Sequence, residues 1–477
     1  MVLALVVVPL VMAVVTFALP SKHWRPRMLP LVGLAHLAMT VKVLGDPGPS
    51  PAGRWLVLDP PGRLVLLLVS ILFLVCSFYC VGYLSYRVER ANRRFCSSLL
   101  ALLAMMSLVA ASHHLGLMWV AMEATTLLTA PLIYFNRTAR SIEATWKYLL
   151  VGSVGIALAL FGSFLLAYSS LEAGLDSSLL FEDLIRHAPR LSTAWLKAGF
   201  VLLLIGYGTK VGLAPMHTWK PDAYGEAPGV VGAVLAGGLS SCAFLALLRA
   251  HHILVAAGEG AYSGRMLVSL GLLSMGFAAV FLVGQRDLKR MLAYSSVEHM
   301  GILALGTGVG GAALSGALLH LFNHGLTKTI LFLSAANIHR AFGGKTLDEV
   351  RGALRRLPLT GGLFLFGFLA ITGSPPFAPF LSELTILRGL VGAERYGLGA
   401  AMLALVFVAF VGMGRTSLAA LAGEPSPEAK RGRYRDGWLT FAPAAALAVA
   451  VTVLGVYVPA PLRRLVLEAA RYLGVEP

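Results

Sequence analysis

Charge is what this chain has least of. Only 13% of its 477 residues are Asp, Glu, Lys or Arg, against about 25% in an ordinary soluble domain. Cysteine is almost as scarce. Cys76, Cys80, Cys96 and Cys242 form no C-x-x-C pair and have no histidine at ligand spacing, so they read as small buried hydrophobes. Nothing in the pattern would bind haem, an iron–sulfur cluster, flavin or a dinucleotide. No cofactor is expected, and no metal. If the chain serves a redox enzyme, the electrons travel in another subunit. No polar stretch is long enough to fold as a soluble domain.

What is present is apolar sequence. Hydrophobic residues make up 57% of the chain, and mean hydropathy is +0.77. Apolar runs of about 20 residues each span a bilayer as a helix. Fourteen such runs are expected, at 2–20, 28–45, 64–85, 97–112, 114–135, 145–170, 196–220, 228–250, 266–285, 290–309, 312–337, 359–388, 398–421 and 438–458. Only His113 and His114 separate the fourth from the fifth. The first run has no basic residues before it, so it is expected to be a retained span and not a cleaved signal. The expected fold is all-α, a polytopic membrane protein and a single membrane domain over 1–477. Within it, 1–95 holds N-terminal spans, 96–250 and 264–421 two repeats, and 422–477 a loop and the last span.

Net charge is +16. In a soluble protein that would suggest nucleic acid. Here the basic residues sit between apolar runs and concentrate in alternate loops, so no nucleic-acid partner is expected. The richer set includes Arg87–Arg94, Arg137, Arg140, Lys147, Lys220, Arg286, Lys289, Arg290, Arg340, Lys345 and Arg351–Arg356. The positive-inside rule places that set in the cytoplasm and both termini outside. The basic loop Gly423–Gly437, with Lys430, Arg431 and Arg433, is expected to be mobile and cytoplasmic. The acidic loop Leu171–Arg190 is expected outside.

Against this background, a few ionisable residues lie deep in apolar runs: Glu123, Lys210, Lys328 and Glu383. Each costs at least ~2.5–3.5 kcal/mol to place at mid-membrane on insertion scales. Lys210 is flanked by Gly206, Gly208, Gly212 and Pro215, which are expected to break its helix. Ser374-Pro375-Pro376 does the same before Glu383. Irregular backbone at membrane depth survives only inside protein or beside a water-filled cavity. His320, His324 and Lys328 are spaced i, i+4, i+8 and share one helix face, the arrangement of a proton relay. Two simpler readings stand beside this one. Glu123 and Lys210 would serve as a structural ion pair. His320 and His324 would hold zinc, although Lys328 is a poor neighbour for a cation and no third ligand is evident. His113, His114, His251 and His252 read as span-end residues. The two broken spans lie five apart, so two inverted five-helix repeats are expected.

These stretches resemble a known family. Lys210 to Asp222 is similar to the seventh-span signature of the antiporter-like subunits of respiratory complex I, Mrp cation/proton antiporters and energy-converting hydrogenases. Asp287-Leu-Lys-Arg-Met-Leu-Ala-Tyr-Ser-Ser resembles the family's tenth-span entry. His320-Leu-Phe-Asn-His-Gly-Leu-Thr-Lys resembles its eleventh-span row, and Gly373-Ser-Pro-Pro-Phe-Ala-Pro-Phe-Leu-Ser-Glu its twelfth-span break. Together these motifs cover roughly residues 95–390. Ser296-Val-Glu-His-Met-Gly and Trp219-Lys-Pro-Asp-Ala-Tyr-Gly-Glu-Ala-Pro lean toward the hydrogenase-4 or formate-hydrogenlyase type.

The resemblance implies a proton-translocating membrane subunit of a redox-driven complex in a prokaryotic plasma membrane, with other membrane subunits as partners. It would be part of an oxidoreductase without a redox centre of its own. A sodium/proton antiporter subunit and a non-transporting scaffold are the alternatives. It further implies that Glu123 and Lys210 form a modulating pair, that His320, His324 and Lys328 form a connecting relay, and that Glu383 is the outward terminal residue. Glu298, His299, His217 and Asp222 are accessory candidates. Two departures matter. Many members carry a Lys or His in the eighth span, where Val230–Gly238 has none. The long lateral helix of the largest complex I member is not expected after the fourteenth span.

Overall fold

The structure is a computed structural model that describes residues 1–45, 53–87, 89–427 and 434–474. Lys430, Arg431 and Arg433 of the expected mobile loop lie outside the described residues. The described residues form helices, with isolated β-bridges and no strand. In chain order they are α1 Val2–Ala18, α2 Trp24–Gly45, α3 Pro60–Ser85, α4 Arg93–Ala111, α5 Leu115–Ile133, α6 Ala139–Glu172, α7 Phe181–Arg186, α8 Thr193–Val211, α9 Trp219–Glu226 and α10 Gly229–Ala256. Then follow α11 Gly260–Val283, α12 Leu288–Val309, α13 Gly311–Phe342, α14 Ala353–Arg356, α15 Pro358–Ile371, α16 Ala378–Gly392, α17 Tyr396–Leu421, α18 Trp438–Val456 and α19 Ala460–Tyr472. Ten of the described helices are long and apolar enough to cross a membrane. Val14, Val154, Val280, Phe407 and Val449 are exposed on the outer faces of these helices, as lipid contact requires.

Local sequence explains the helix ends. Asp59 caps α3 ahead of Pro60 and Pro61, accepting from Gly62 N at 2.9 Å, and proline suits that first turn. Thr138 and Ser141 form a capping box on α6. Asp287 starts α12 by accepting from Lys289 N and Arg290 N at 2.8 and 3.0 Å. The chain separates α4 from α5 at Ser112–His114, where His114 accepts from Leu117 N. His113, His114, His251 and His252 do sit at helix ends, packed on Phe181, Trp55, Ser263 and Tyr472.

Both expected breaks are present, with one correction. The seventh span is helical through Gly206 and Gly208 and breaks only after Val211, where Gly212 adopts φ +83°. Gly206 is there for close packing: a Cβ would lie 2.6 Å from Ala159 N and Gly155 O of α6. The twelfth span breaks between α15 and α16. A π-helical stretch at Val234–Leu239 interrupts α10; such wide turns often mark functional sites.

The long helix α13 is the hub. It packs on α3, α10, α12, α15, α16, α18 and α19 and is buried almost throughout from Gly316 to Ile338. Asn337 clasps its neighbours: its Oδ1 accepts from Tyr79 and Tyr434 at 2.8 and 2.7 Å, and its amide donates to Thr440 O at 3.1 Å. The C-terminal α19 was not expected from the sequence. It is amphipathic and lays Leu462, Val466, Ala469 and Ala470 against the bundle.

One buried ion pair ties α10 to the start of α3 and the end of α4. Arg249 of α10 donates to Asp59 at 2.8 and 2.9 Å and to the carbonyls of Val109 and Ala110 at 2.9 and 2.7 Å. Both side chains are 2% exposed. Removing one charge leaves the other stranded, at a cost of about 3–5 kcal/mol. Asp59→Asn is therefore expected to lower the thermal unfolding midpoint of the detergent-solubilised protein markedly, and adding Arg249→Met to recover part of the loss. An unchanged midpoint in Asp59→Asn would contradict the assignment.

Candidate functional site

The first group of buried polar side chains forms around the end of α8. Lys210 lies in its last turn and is 1% exposed. Its Nζ donates to the Thr126 hydroxyl on α5 and, at 3.3 Å, to Tyr148 OH on α6, and it stands 4.9 Å from the Tyr148 ring centre. Thr126 in turn donates to Glu123 Oε2 at 3.2 Å, and Ser153 donates to the other carboxylate oxygen at 3.1 Å. The expected Glu123–Lys210 pair is therefore not a direct contact. Thr126 stands between them, one turn along α5 from Glu123. It accepts from the ammonium and donates to the carboxylate, so the two charges are joined by a one-hydroxyl wire.

The break itself is stitched by polar groups. The last carbonyls of α8 have no partner within the helix. Trp219 Nε1 donates to Thr209 O at 2.9 Å, and Lys220 Nζ donates to Val211 O at 2.6 Å. Lys220 also reaches Ser240 Oγ of α10 at 3.3 Å, and its Nζ lies 5.4 Å from the Tyr224 ring centre. Lys220 is 0% exposed. Lys220 is thus not one of the loop cations expected from the sequence: α9 packs into the bundle after the break and carries Lys220 inward. Lys289, placed in the same set, is also buried. Its Nζ caps the end of α9 by donating to Gly225 O and Ala227 O at 3.0 and 2.5 Å.

The second group gathers where α12, α13 and α16 meet. His299 Nδ1 and His320 Nε2 are 3.0 Å apart. His320 Nδ1 lies 2.9 Å from Ser382 Oγ, which has carbonyl acceptors at Pro379 and Ala378. Glu383 Oε1 is 3.8 Å from His299 Nδ1. The His324 ring centre is 5.3 Å from that of His299 and 6.4 Å from that of His320. Lys328 Nζ donates to Leu292 O at 3.0 Å, and the charge of Glu298, also buried, acts on it. Asn323 donates to Ala378 O at 2.8 Å, fixing α16 on α13.

The Ser382–His320–His299 contacts admit two hydrogen-bond patterns. With Ser382 donating to His320 Nδ1, the Nε2–H of His320 points at His299. With the serine hydrogen on Pro379 O, His320 Nδ1 donates and the middle bond reverses. The two patterns hold the same number of protons and differ only in the tautomers of His320 and His299, so the Ser382–His320–His299 bonds read in either direction, while His324 and Glu383 Oε1 take no hydrogen bond from the described residues in either.

His320, His324 and Lys328 share one stretch of α13 as the spacing suggested, and His299, Glu298 and Glu383 join them from α12 and α16. His217 and Asp222 do not. His217 packs between Phe277 and Tyr294. Asp222 bridges Lys147 at 2.9 Å and Arg290 at the mouth of a cleft of about 460 Å³ that Glu226, Asp287 and Lys345 also line. No third ligand joins His320 and His324 among the described residues; a different trio, His299, His320 and Glu383, offers atoms within 4.8 Å of one another. His299 and Glu383 come from α12 and α16, which helix periodicity within α13 could not show. The 3.0 Å between the two histidine nitrogens is the spacing of a shared proton.

Comparison with known proteins agrees with this architecture. Residues 112–411 match the family described as NADH:quinone oxidoreductase/Mrp antiporter, transmembrane. The chain is 37% identical over 385 residues to a hydrogenase-4 component F homolog of Methylacidiphilum infernorum, covering 76% of this chain and 80% of that protein. It is 32% identical over 348 residues to NADH-quinone oxidoreductase subunit N of Desulforudis audaxviator, covering 72% and 68%. Among solved structures, a chain of the Mrp complex from Dietzia superposes with a TM-score of 0.87 over 99% of this chain and 97% of that one, at 20% identity. A chain of Thermus thermophilus respiratory complex I superposes with a TM-score of 0.77 over 95% and 97%, at 28% identity. The match spans both polar groups and the breaks between them: this chain belongs to the NADH:quinone oxidoreductase/Mrp antiporter family of membrane subunits.

Proposed function

We propose that this chain is the proton-translocating membrane subunit of a redox-driven complex of the hydrogenase-4 kind. The observation that carries this reading is the pair of buried hydrogen-bonded groups, Glu123–Thr126–Lys210 and His299–His320–Ser382 with Glu383, on helices held inside one bundle. The relative named as a hydrogenase-4 component supports the choice of complex. Electrons would pass through partner subunits. Fourteen spans, two inverted repeats over 96–250 and 264–421, and both termini on the outer side of a prokaryotic plasma membrane complete the proposal. The two broken spans and the excess of basic residues in alternate loops support it.

The mechanism is electrostatic. A change at the partner interface moves Glu123 relative to Thr126. The carboxylate then no longer balances the ammonium of Lys210, and a charge in an apolar site without a counter-charge is costly. Lys210 gives up its proton. The proton passes to the α13 row, where the reversible His320–His299 bond takes it, and Glu383 releases it outward. Na⁺ fits this path poorly. It is a hard cation that wants several oxygen ligands, and although Glu123, Thr126, Ser382 and Glu383 offer oxygens, Lys210 and Lys328 set ammonium groups on the same path.

The test uses the assembled complex in proteoliposomes. Lys210→Ala and Glu383→Gln are each expected to cut proton translocation per electron by about tenfold or more, in line with loss of a positioned proton carrier, while the complex still assembles. Full pumping in Lys210→Ala would overturn the reading, and sodium uptake coupled to turnover would favour a cation antiporter. Thr126→Val is expected to uncouple Glu123 from Lys210 at a cost of about 1–3 kcal/mol for the stranded polar groups. It should therefore slow pumping several-fold without changing assembly, and wild-type rates in that variant would remove Thr126 from the wire.

A further inference from the structure

Between the two groups lies the stretch where the eighth span offers no ionisable side chain. Val230–Gly238 is apolar, and its π-helical turn passes Gly237 directly against the Gly325 backbone of α13. Lys220 fills this gap from a different helix. It starts the second half of the broken seventh span, just as Glu383 lies on the second half of the broken twelfth. Its Nζ holds Val211 O, the carbonyl next to Lys210, on one side and Ser240 Oγ of α10 on the other. Its charge acts on both His324 and Lys328 of α13. No carboxylate pairs with it among the described residues: every ion pair found for lysine involves Lys147, Lys197 or Lys345.

A fully buried lysine without a counter-charge is a poor structural tie, because desolvation of the ammonium exceeds the gain from two hydrogen bonds. His324 on α13 is 0% exposed, and neither ring nitrogen has a hydrogen-bond partner among the described residues. A buried imidazole nitrogen without a protein partner leaves a hydrogen bond open to a further donor or acceptor. The same holds for Nδ1 of His217, the other ionisable group on which Lys220 acts.

We propose that Lys220 is the proton carrier that joins Lys210 to the α13 histidine row, in the role that the eighth span leaves unfilled. Lys220 in its neutral amine form takes a proton through water from the Lys210 ammonium, regaining its third N–H bond. It then releases one N–H proton through water to a free ring nitrogen of His324, which becomes imidazolium while Lys220 returns to the amine. The inference rests on the proton-translocating reading of this site.

The experiment compares four forms of the intact complex in proteoliposomes, with native-gel assembly checked for each. Lys220→Arg keeps the charge and the Val211 contact but does not release its proton. Lys220→Gln keeps a donor to Val211 without a titratable group. Both are expected to assemble and to lose about tenfold or more of proton translocation per electron. Lys220→Gln combined with Ser240→Lys, which returns an amine to the same spot from α10, is expected to recover much of it. A role confined to capping α8 predicts the reverse: near-normal pumping in both single variants, or losses that the Ser240→Lys change does not repair, and either result overturns the proposal. Should the single variants fail to assemble, the double variant still decides, since its assembly with wild-type pumping supports the carrier and its assembly without pumping refutes it. Lys210→Ala is the control that separates the two claims. Pumping lost there but kept in Lys220→Gln defeats only the Lys220 assignment, while pumping kept in Lys210→Ala defeats the function itself.

Discussion

Everything in this bundle turns on how it shelters cations at membrane depth. Lys210, Lys220 and Lys328 are all 1% exposed or less, in a chain with so few charges that each is conspicuous. Their solutions differ. Lys210 has a hydroxyl, a phenol and a carboxylate one step away. Lys220 and Lys328 rest on backbone carbonyls, Val211 O and Leu292 O. For Lys220 that carbonyl is free only because the seventh helix is broken. The break is thus what makes a second buried amine possible, and Gly212, with its positive φ, makes the break.

A charge held this weakly is poised to change. Full salt bridges hold an ion pair in place, as Arg249 and Asp59 do at the end of α3. Lys210, Lys220 and Lys328, the lysines of the proposed path, have no direct salt bridge among the described residues. Their charged state depends on neighbours a hydroxyl or a water away, and small shifts between helices alter that balance strongly, since charges interact more sharply away from bulk water. The rigid parts of the molecule are kept separate from this. Asn337 clasps α3, α13 and α18, and Arg249 pins α10 to the ends of α3 and α4.

Much of this was legible in the sequence because a membrane protein advertises its exceptions. Glu123, Lys210, Lys328 and Glu383 stood out against apolar runs, and the i, i+4, i+8 spacing put His320, His324 and Lys328 on one face of α13. What periodicity cannot show is contact between helices. His299 entered as a neighbour of Glu298 and is in fact the partner of His320. Thr126 carried no signal, since a threonine in an apolar helix is common, yet it mediates the Glu123–Lys210 pair. Lys220 was misread for a physical reason: beside Pro221 and Asp222 it looked like a loop residue at the membrane edge, whereas the broken helix re-enters the bundle. Gly206 was misread in the opposite sense, as a breaker instead of a close-packing residue against α6. The amphipathic α19 was missed because its apolar face is too short to register as a span.

The measurement that bears most directly on the account is a simultaneous record of electron, proton and sodium movement in the purified intact complex containing this chain, reconstituted in sealed vesicles. The account predicts proton movement in fixed ratio to electrons, unchanged in sodium-free buffer. Electron transfer without proton movement, or ion movement that stops when sodium is withdrawn, would contradict it.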